Sequence, residues 1–279
     1  MNKFVIVANS DKDINLKLSQ DIVAYIEDKG AQAVVVSDME KDYENATIRA
    51  EFLEDAEAVI VLGGDGTMLR AAHGIGTYDV PLMGINLGTL GFLTEVEEAN
   101  AHKAIDRLID GEYDIEKRMM IEGKTGDTCY ACLNDVVITR AGFSRIIGLN
   151  IYVNDQLLDT YEADGVIVAT PTGSTGYNLS AGGPIISPKA RAVVVTPISP
   201  HSLTSKSVVF DSTDRIRIKV VKKRRTQETE AIVSFDGEDN IELSAGESVE
   251  VTCAAREICL IKMYDRSFYS VLREKIGGA

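Results

Sequence analysis

The chain has 279 residues, of which 45% are hydrophobic and 26% are charged, and its formal net charge is -14 at pH 7. This length is sufficient for two domains, or for one large domain with a well-buried core. The acidic balance argues against nucleic acid as a partner, because a surface that follows a phosphate backbone normally carries an excess of basic residues.

The sequence also disfavours a membrane-spanning protein and a protein that binds a metal through its cysteines. No apolar segment approaches the roughly 20 residues that cross a bilayer, and residues 1–7 lack a secretory layout. Cys129 and Cys132 lie in a predicted strand where an odd spacing sends side chains to opposite faces, so joint ligation of a metal is disfavoured. We expect a cytoplasmic protein whose four cysteines are reduced thiols.

The first hundred or so residues alternate between strand and helix patterns, which predicts a parallel sheet joined by right-handed crossovers, with helices on both faces. We therefore expect a Rossmann-like α/β domain over residues 1–114. The predicted strands are Phe4–Ala8, Ala33–Val36, Ala58–Leu62 and Val80–Ile85. The predicted helices are Ile14–Asp28, Ile48–Glu54, Met68–Ala72 and Ala99–Ile109.

From about Ile115 the pattern changes to short strands separated by turn residues, which predicts a mostly β domain over residues 115–262. Asn154-Asp155 and Asp236-Gly237 are expected to form tight turns, and the basic run 222–225 is expected at the tip of a hairpin. Residues 263–279 are expected to return to the first domain, with a short helix over Tyr264–Ile276. The predicted strands are Ala131–Thr139, Leu149–Val153, Gly165–Ala169, Ala192–Thr196, Arg215–Val221, Ala231–Phe235, Ser248–Cys253 and Ile258–Lys262.

The strand Ala58–Leu62 runs directly into Gly63-Gly64-Asp65-Gly66-Thr67, a strand-to-helix turn with three glycines around one carboxylate. Glycines let the backbone approach a bulky anion, and the following helix offers free N–H groups and the positive end of its dipole. This predicts a phosphate loop in which Asp65 holds a cation or takes a proton from a hydroxyl. An ordinary Asp-Gly turn with Thr67 as the helix N-cap remains open.

A second candidate region is Asp164–Pro184, where a strand leads into a loop dense in glycines and hydroxyls. Backbone amides, Thr and Ser hydroxyls and one aromatic ring suit a nucleobase, although a long connection of the same composition remains open. Asn134-Asp135 could hold a ribose diol or begin a strand. The P-loop pattern G-x-x-x-x-G-K-[ST] is absent, so a nucleotide site here must be of another kind.

Taken together, these motifs resemble the bacterial NAD kinase family. The likeness rests on three motifs in order and spacing, and weaker likenesses extend it to Leu90-Gly91-Phe92-Leu93 and Phe235-Asp236-Gly237. The three motifs are Gly63-Gly64-Asp65-Gly66-Thr67, Asn134-Asp135-Val136-Val137, and Asp164-Gly165 followed by residues 170–184. The resemblance implies transfer of the γ-phosphoryl group of ATP to the 2′-hydroxyl of the adenosine ribose of NAD, giving NADP.

The resemblance also implies roles for individual residues, with Asp65 as the catalytic base. The phosphates of ATP would be bound by Gly63, Gly64, Gly66, Thr67 and Arg70. NAD would be bound by Asp65, Gly66, Asn134, Asp135, Arg145, Asp164, Thr175, Gly176, Tyr177, Asn178, Leu179 and Ser180. The chain departs from the family pattern at Gly176, Glu162 and Glu238, and a ligand contact of His201 stays open.

For cofactors and partners, the resemblance implies a divalent cation, Mg²⁺ above all, carried with the ATP phosphates rather than in a protein cage. It also implies a homodimer or homotetramer, while NAD and ATP are the small-molecule partners. Two other functions compete: a lipid kinase with the same phosphate loop, which the acidic balance disfavours, and a nucleotide-binding regulatory module without turnover, for which Asp65 would be superfluous.

Overall fold

The computed structural model describes residues 2–37, 43–44, 47–89, 91–141, 146–202, 204–222, 230–264 and 267–277. The chain forms two compact units, the first comprising Met1–Lys117 and Ile258–Ala279 and the second comprising Arg118–Glu257. No helix in the described ranges is both long and apolar enough to cross a membrane.

Strands and helices alternate through the first part of the chain. They are β1 (Lys3–Ala8), α1 (Lys17–Asp28), β2 (Gln32–Ser37), β3 (Tyr43–Glu44), β4 (Thr47–Ile48), α2 (Ala50–Leu53), β5 (Ala58–Gly63), α3 (Asp65–Gly74), β6 (Leu82–Asn86), β7 (Val96–Glu97) and α4 (Ala101–Ile109).

Strands dominate the remainder. They are β8 (Asp114–Thr125), β9 (Thr128–Cys132), β10 (Asp135–Arg140), β11 (Ile147–Val153), β12 (Gln156–Ala163), β13 (Gly165–Ala169), α5 (Tyr177–Ser180), β14 (Ala192–Ile198), β15 (Val208–Asp211), β16 (Ile216–Val221), β17 (Glu230–Phe235), β18 (Glu238–Ser244), β19 (Ser248–Lys262) and α6 (Phe268–Ile276).

The first unit is built on a parallel sheet in the order β2-β1-β5-β6, which confirms the predicted α/β domain. Every residue of β5 is buried. Ile60 packs in a core with residues of α1 and α4, while Val59 and Val61 point to the opposite face of the strand. A strand covered on both faces reads as an unbroken apolar run, which is the pattern that the sequence shows here.

The turns that follow β1, β5 and β6 meet at one edge of this sheet. The backbone N–H of Asn9 donates to the carbonyl of Leu62 at 3.0 Å, and the N–H of Leu87 donates to the carbonyl of Gly63 at 2.9 Å. Ligands of parallel α/β sheets bind at the carboxyl ends of the strands, so this edge is where a site is expected in the first unit.

The second unit is mostly antiparallel β structure, as predicted. One sheet has the order β15-β14-β13-β10-β17-β18, and β12, β11, β16 and the start of β19 form a second antiparallel arrangement. Side chains of both, including Val136, Ile138, Leu149, Ile218 and Val233, share one buried core. The opposite face of β10 and β13 carries a smaller apolar cluster.

Helix α1 begins later than the predicted Ile14, because Asn15 and Leu16 adopt left-handed backbone conformations with φ of 57° and 54°. The helix proper starts at Lys17. Asp13 stabilises this start, since its carboxylate accepts hydrogen bonds from the backbone N–H groups of Leu18 and Ser19 at 2.9 Å each.

Other predicted boundaries were also wrong. The predicted strand Ala131–Thr139 is interrupted between β9 and β10, the two predicted strands after Ser248 form the single strand β19, and Ile48–Glu54 is helical only in α2. The predicted hairpin at the basic run is wrong, because β16 pairs with β11 and β19 whereas β17 pairs with β10 and β18. Residues 223–225 of that run lie outside the described residues.

The two predicted tight turns are confirmed. Asn154 and Asp155 have φ of 48° and 65°, and Asp236 and Gly237 have φ of 51° and 81°. Two successive positive φ angles are typical of the type I′ turn that joins antiparallel strands. The second of these turns connects β17 to β18 and presents Asp236 to the chain segment that precedes β10.

We expect Ile60→Ala to lower the free energy of unfolding by about 2–5 kcal/mol, because the side chain is fully buried and its loss leaves a cavity. Ile14→Ala is the matched control, since Ile14 is 71% exposed and should change stability by less than about 0.5 kcal/mol. Urea denaturation of both variants measures the difference. Equal losses would show that β5 does not lie in a packed core.

Candidate functional site

The predicted phosphate loop lies at the carboxyl end of β5. Gly64 is the N-cap of α3, and the helix begins at Asp65. A Cβ at Gly63 would overlap Oγ1 of Thr67, so only glycine fits at this position. Gly66 has open space around it and is exposed. The backbone amides at the start of α3 are thus available to an anion, and the helix dipole favours its binding.

Thr67 does not cap the helix, because α3 begins two residues earlier. Its side chain is buried, and Oγ1 accepts a hydrogen bond from Nδ2 of Asn9 at 3.1 Å. Thr67 therefore ties the phosphate loop to the turn after β1, and its predicted phosphate contact stays a prediction. Arg70 lies one turn further along α3 and is partly buried.

The carboxylate of Asp65 is held by a third segment of the first unit. Its Oδ2 accepts from the backbone N–H of Phe92 at 2.7 Å, and its Oδ1 accepts from that of Leu93 at 3.0 Å. A Cβ at Gly91 would overlap the carboxylate itself. The orientation of Asp65 is therefore set before any ligand arrives, and each oxygen retains a lone pair for a proton or a cation.

The sequence identified the stretch around Gly91 only as a weak similarity to the family pattern, and Gly91 was assigned no role. The local pattern shows only a glycine before two apolar residues. Its contact partner, Asp65, lies 26 positions earlier in the chain.

Among the described residues, no group of three or more His, Cys, Asp or Glu is arranged to hold a metal ion. Asp65 is thus the carboxylate that the phosphate loop itself can offer to a cation.

A cavity of about 650 Å³ in the first unit is lined by residues of α1, α4 and the turn after β6. Its lining includes the acidic side chains of Asp21, Glu97 and Glu98, together with Asn86 and Gly88. Carboxylates repel phosphate, so this cavity is unsuited to a polyphosphate. The glycine loop therefore remains the predicted phosphate site.

In the second unit, Leu133, Asn134 and Asp135 are held from two sides. The carboxylate of Asp236 accepts hydrogen bonds from the backbone N–H groups of all three residues at 2.6–2.8 Å. Thr170 reaches them from the other side, because its N–H donates to the carbonyl of Asn134 at 2.8 Å and its hydroxyl to that of Leu133 at 2.6 Å. This arrangement interrupts the predicted strand and leaves the side chain of Asn134 partly exposed.

Asp135 is 6% exposed. Burial, and in second place the negative charge of Asp236, raise the pKa of Asp135 to about 7. A carboxyl group with this pKa is partly protonated near neutral pH and can donate as well as accept a hydrogen bond. That property suits the recognition of a ligand hydroxyl, and the sequence pattern alone did not reveal it.

The glycine-rich and hydroxyl-rich loop after β13 is firmly structured. Asn178 is fully buried, and its amide donates to the carbonyls of Ser174 and Pro184 and accepts from the hydroxyl of Thr196. Ala181 packs against the apolar cluster on β10 and β13. The predicted ligand contact of Asn178 stays a prediction, and its side-chain amide already makes three internal hydrogen bonds.

Two of the predicted motifs meet in this unit. A Cβ at Gly173 would overlap the carbonyl oxygen of Asn134, and a Cβ at Gly176 would lie 3.9 Å from the side-chain Nδ2 of Asn134. The loop carrying Thr175 therefore lies directly against Asn134. Tyr177 is 46% exposed at the start of α5 and is available to stack on a planar ligand.

The remaining predicted residues have varied surroundings. Asp164 pairs with Arg140 at 2.8 Å, a partner that sequence reasoning missed. Glu162 is partly buried and its carbonyl accepts from the N–H of His201, which is exposed. Glu238 is exposed at the start of β18. Arg145 lies outside the described residues. Leu179 is partly buried and Ser180 is exposed on α5.

Two models of known protein families match the chain, one in its N-terminal part and one in its C-terminal part. Residues 4–113 match the family described as the ATP-NAD kinase N-terminal domain, and residues 133–263 match the ATP-NAD kinase C-terminal domain. An NAD kinase of Lachnoclostridium phytofermentans is 44% identical over 286 aligned positions, which cover 99% of this chain and 99% of that protein.

Solved structures show the same fold. The yeast NADH kinase complexed with NADH has a TM-score of 0.86 at 22% identity, covering 100% of this chain and 88% of that chain. An NAD kinase from Archaeoglobus fulgidus in complex with ATP has a TM-score of 0.79 at 21% identity, covering 99% of each chain. At 21% and 22% identity, these two structures show a similarity of fold alone.

The raised pKa of Asp135 predicts a pH-dependent stability. The folded chain holds this proton up to about pH 7, whereas the unfolded chain releases it near the usual value of 3.8. Stability should therefore fall as pH rises from about 4 to about 7 and level off above. In Asp135→Asn this pH dependence disappears. Relative to the wild type, the free energy of unfolding of the variant should therefore rise by up to about 4 kcal/mol across that pH range. Parallel stability profiles from urea denaturation would contradict the assignment.

The packing of Gly91 against Asp65 predicts a coupled pair. Gly91→Ala should cost about 1–3 kcal/mol of unfolding free energy, because the new methyl group overlaps the carboxylate. Its backbone does not have a positive φ, so alanine is otherwise acceptable there. In an Asp65→Ala background the same substitution should cost less than about 0.5 kcal/mol. Equal costs in both backgrounds would disprove the contact.

Proposed function

The chain belongs to the NAD kinase family, and we propose that it transfers the γ-phosphoryl group of ATP to the 2′-hydroxyl of the adenosine ribose of NAD, giving NADP and ADP. The observation that carries this proposal is the Asp65 carboxylate, oriented by two backbone amides within a glycine loop at a helix N-terminus. Phosphates repel a carboxylate beside them unless it takes a proton from a hydroxyl or holds a cation, and the 2′-hydroxyl of NAD supplies such a proton.

In the proposed reaction the 2′-oxygen forms a bond to the γ-phosphorus of ATP, and the bond from that phosphorus to the β–γ bridging oxygen breaks. ADP leaves with the electron pair of the broken bond, and Asp65 takes the hydroxyl proton. The amides at the start of α3 bind phosphate oxygens, which neutralises charge and fixes the line of attack. Proton transfer to a positioned base contributes about 10²–10⁴ in rate.

The second unit supplies groups suited to the adenosine part of a dinucleotide. Asn134 presents its amide beside the loop of Thr175 and Gly176, Tyr177 offers an aromatic face, and Asp135 can exchange hydrogen bonds with a ribose hydroxyl. Asp236 accepts from the backbone N–H groups of Asn134 and Asp135, and the N–H of Thr170 donates to the carbonyl of Asn134, so these bonds leave both side chains for the ligand. We propose Asp164, through its pair with Arg140, as a further contact.

We also propose a divalent cation, most suitably Mg²⁺, as a cofactor. Mg²⁺ prefers oxygen ligands and is commonly bound by substrate phosphates, water and one or two carboxylates. Asp65 is the carboxylate that fits this role at the phosphate loop, where its oxygens each keep a lone pair. When bound, the ion would neutralise charge on the phosphates.

A homodimer or homotetramer is proposed on the basis of exposed strand edges. Strand β12 lies at the end of its sheet and exposes Leu157 and Leu158 at 56% and 43%. Strand β15, at the end of the other sheet, exposes Val209 at 50%. Apolar side chains on edge strands favour association with another chain, and a second copy satisfies both edges symmetrically.

Asp65→Asn tests the proposed chemistry directly. The variant should form NADP from NAD and ATP about 10²–10⁴ times more slowly, because the amide cannot accept the hydroxyl proton. NAD binding, measured by calorimetry, should persist. Asp28→Asn, at an exposed position at the end of α1, is the matched control and should retain full activity.

Two outcomes would overturn the proposal in different ways. A wild-type protein that forms no NADP with any divalent cation is not an NAD kinase, and if it still binds NAD it is a binding module. A wild type that forms NADP with an equally active Asp65→Asn variant remains a kinase, but its base lies elsewhere.

A further inference from the structure

Lys12 lies in the turn that follows β1, and its ammonium group reaches the phosphate loop of the same unit. A Cβ at Gly64 would lie 3.3 Å from Nζ of Lys12, and a Cβ at Gly88 would lie 3.7 Å from it. The lysine thus stands beside the N-cap of α3 and the turn after β6 at once. Nothing in the local sequence around Lys12 indicates this position, because the two glycines are 52 and 76 positions away.

Asn9 fixes the turn that carries Lys12. Its side-chain Oδ1 accepts from the backbone N–H groups of Asp11 and Lys12 at 3.1 Å each, which closes an Asx-type turn. Its backbone carbonyl also accepts from the N–H of Lys12 at 3.0 Å. Its Nδ2 donates to Oγ1 of Thr67 on α3 at 3.1 Å. One asparagine therefore shapes the turn and attaches it to the phosphate loop.

The charge of Lys12 is free to act on a ligand. Among the described residues, no carboxylate forms an ion pair with it. The nearby cavity beside Gly88 is lined with acidic side chains, and the whole chain carries a net charge of -14. A polyanion that approaches the glycine loop therefore meets the ammonium group of Lys12, at a place where the helix N-terminus already favours anions.

We propose that Lys12 binds the phosphates of the phosphoryl donor, with Asn9 as its positioning residue. This inference rests on the proposed kinase function. Lys12 and Asp65 act at separate places in the loop: the lysine lies at Gly64 and Gly88, while the carboxylate is held at Phe92 and Leu93. The ammonium group therefore serves the donor triphosphate rather than the acceptor hydroxyl, and its three N–H donors match phosphate oxygens.

Lys12→Met tests the proposal, because methionine keeps much of the length of the side chain and removes its charge. The variant should raise the KM for ATP at least tenfold and lower kcat, while the KM for NAD changes less than twofold. Lys12→Arg should restore most of the loss in KM for ATP. Lys17→Met, at an exposed lysine on α1, is the matched control and should behave as the wild type.

Inorganic tripolyphosphate separates phosphate recognition from nucleoside recognition. Its binding, measured by calorimetry, should weaken at least tenfold in Lys12→Met and not in Lys17→Met. This measurement needs no turnover, so it tests Lys12 even if the chain forms no NADP and the proposed function fails. Unchanged tripolyphosphate binding, or a rise in the KM for NAD equal to that for ATP, would overturn the proposal.

The role of Asn9 is tested by non-additivity. Asn9→Ala should raise the KM for ATP in the wild type, because the turn no longer aims Lys12 at the loop. In the Lys12→Met background the same change should raise the KM for ATP by a clearly smaller factor, because only the bond from Asn9 to Thr67 is then lost. A purely structural role would instead raise that KM by the same factor in both backgrounds, and this result would refute Asn9 as the positioning residue.

Discussion

The site in the first unit depends on a single constraint, the pairing of the Asp65 carboxylate with the backbone amides of Phe92 and Leu93. This pairing requires glycine at position 91 and joins the loop after β5 to the segment before β7. It also sets the direction of the carboxylate in the absence of substrate. For the proposed role of Asp65 as a base, this orientation means that little conformational entropy is lost when the reaction begins, which is the main advantage of a preorganised site.

Carboxylates that accept hydrogen bonds from backbone N–H groups also occur elsewhere in the chain. Asp236 accepts the backbone N–H groups of Leu133, Asn134 and Asp135, and Asp13 accepts those of Leu18 and Ser19. In each case a carboxylate satisfies amides that regular secondary structure leaves unpaired. Part of the acidic composition is thus used internally, to hold irregular backbone in one conformation where a helix begins or a strand is interrupted.

Local patterns predicted much of this molecule. The parallel strands, the glycine loop at the end of β5 and the two type I′ turns are encoded within a few neighbouring residues, and each was found where expected. Contacts between distant segments were not predictable in this way. Gly91 looks like any loop glycine until Asp65 is placed against it, and the break before β10 follows from Asp236, about a hundred residues further along.

The failed hairpin at the basic run has the same cause. Strands β16 and β17 are adjacent in sequence and both alternate, but each finds its partners in a different sheet. Period-two alternation identifies a strand and its buried face without specifying its neighbours. Likewise, the pKa of Asp135 depends on burial and on a distant carboxylate, neither of which is visible in the residues beside it.

The division of the chain has a consequence for its synthesis. The first unit is discontinuous, since its last segment begins at Ile258, and there Leu260 pairs with Leu82 of β6. Translation therefore delivers the whole of the second unit before the ribosome releases the strand end that completes the first sheet. Strand β7 already pairs with β6 at Ile85 and Asn86, so it is the Leu82 end of β6 that lacks its partner through that interval. Folding of the second unit, whose residues are contiguous, can finish first.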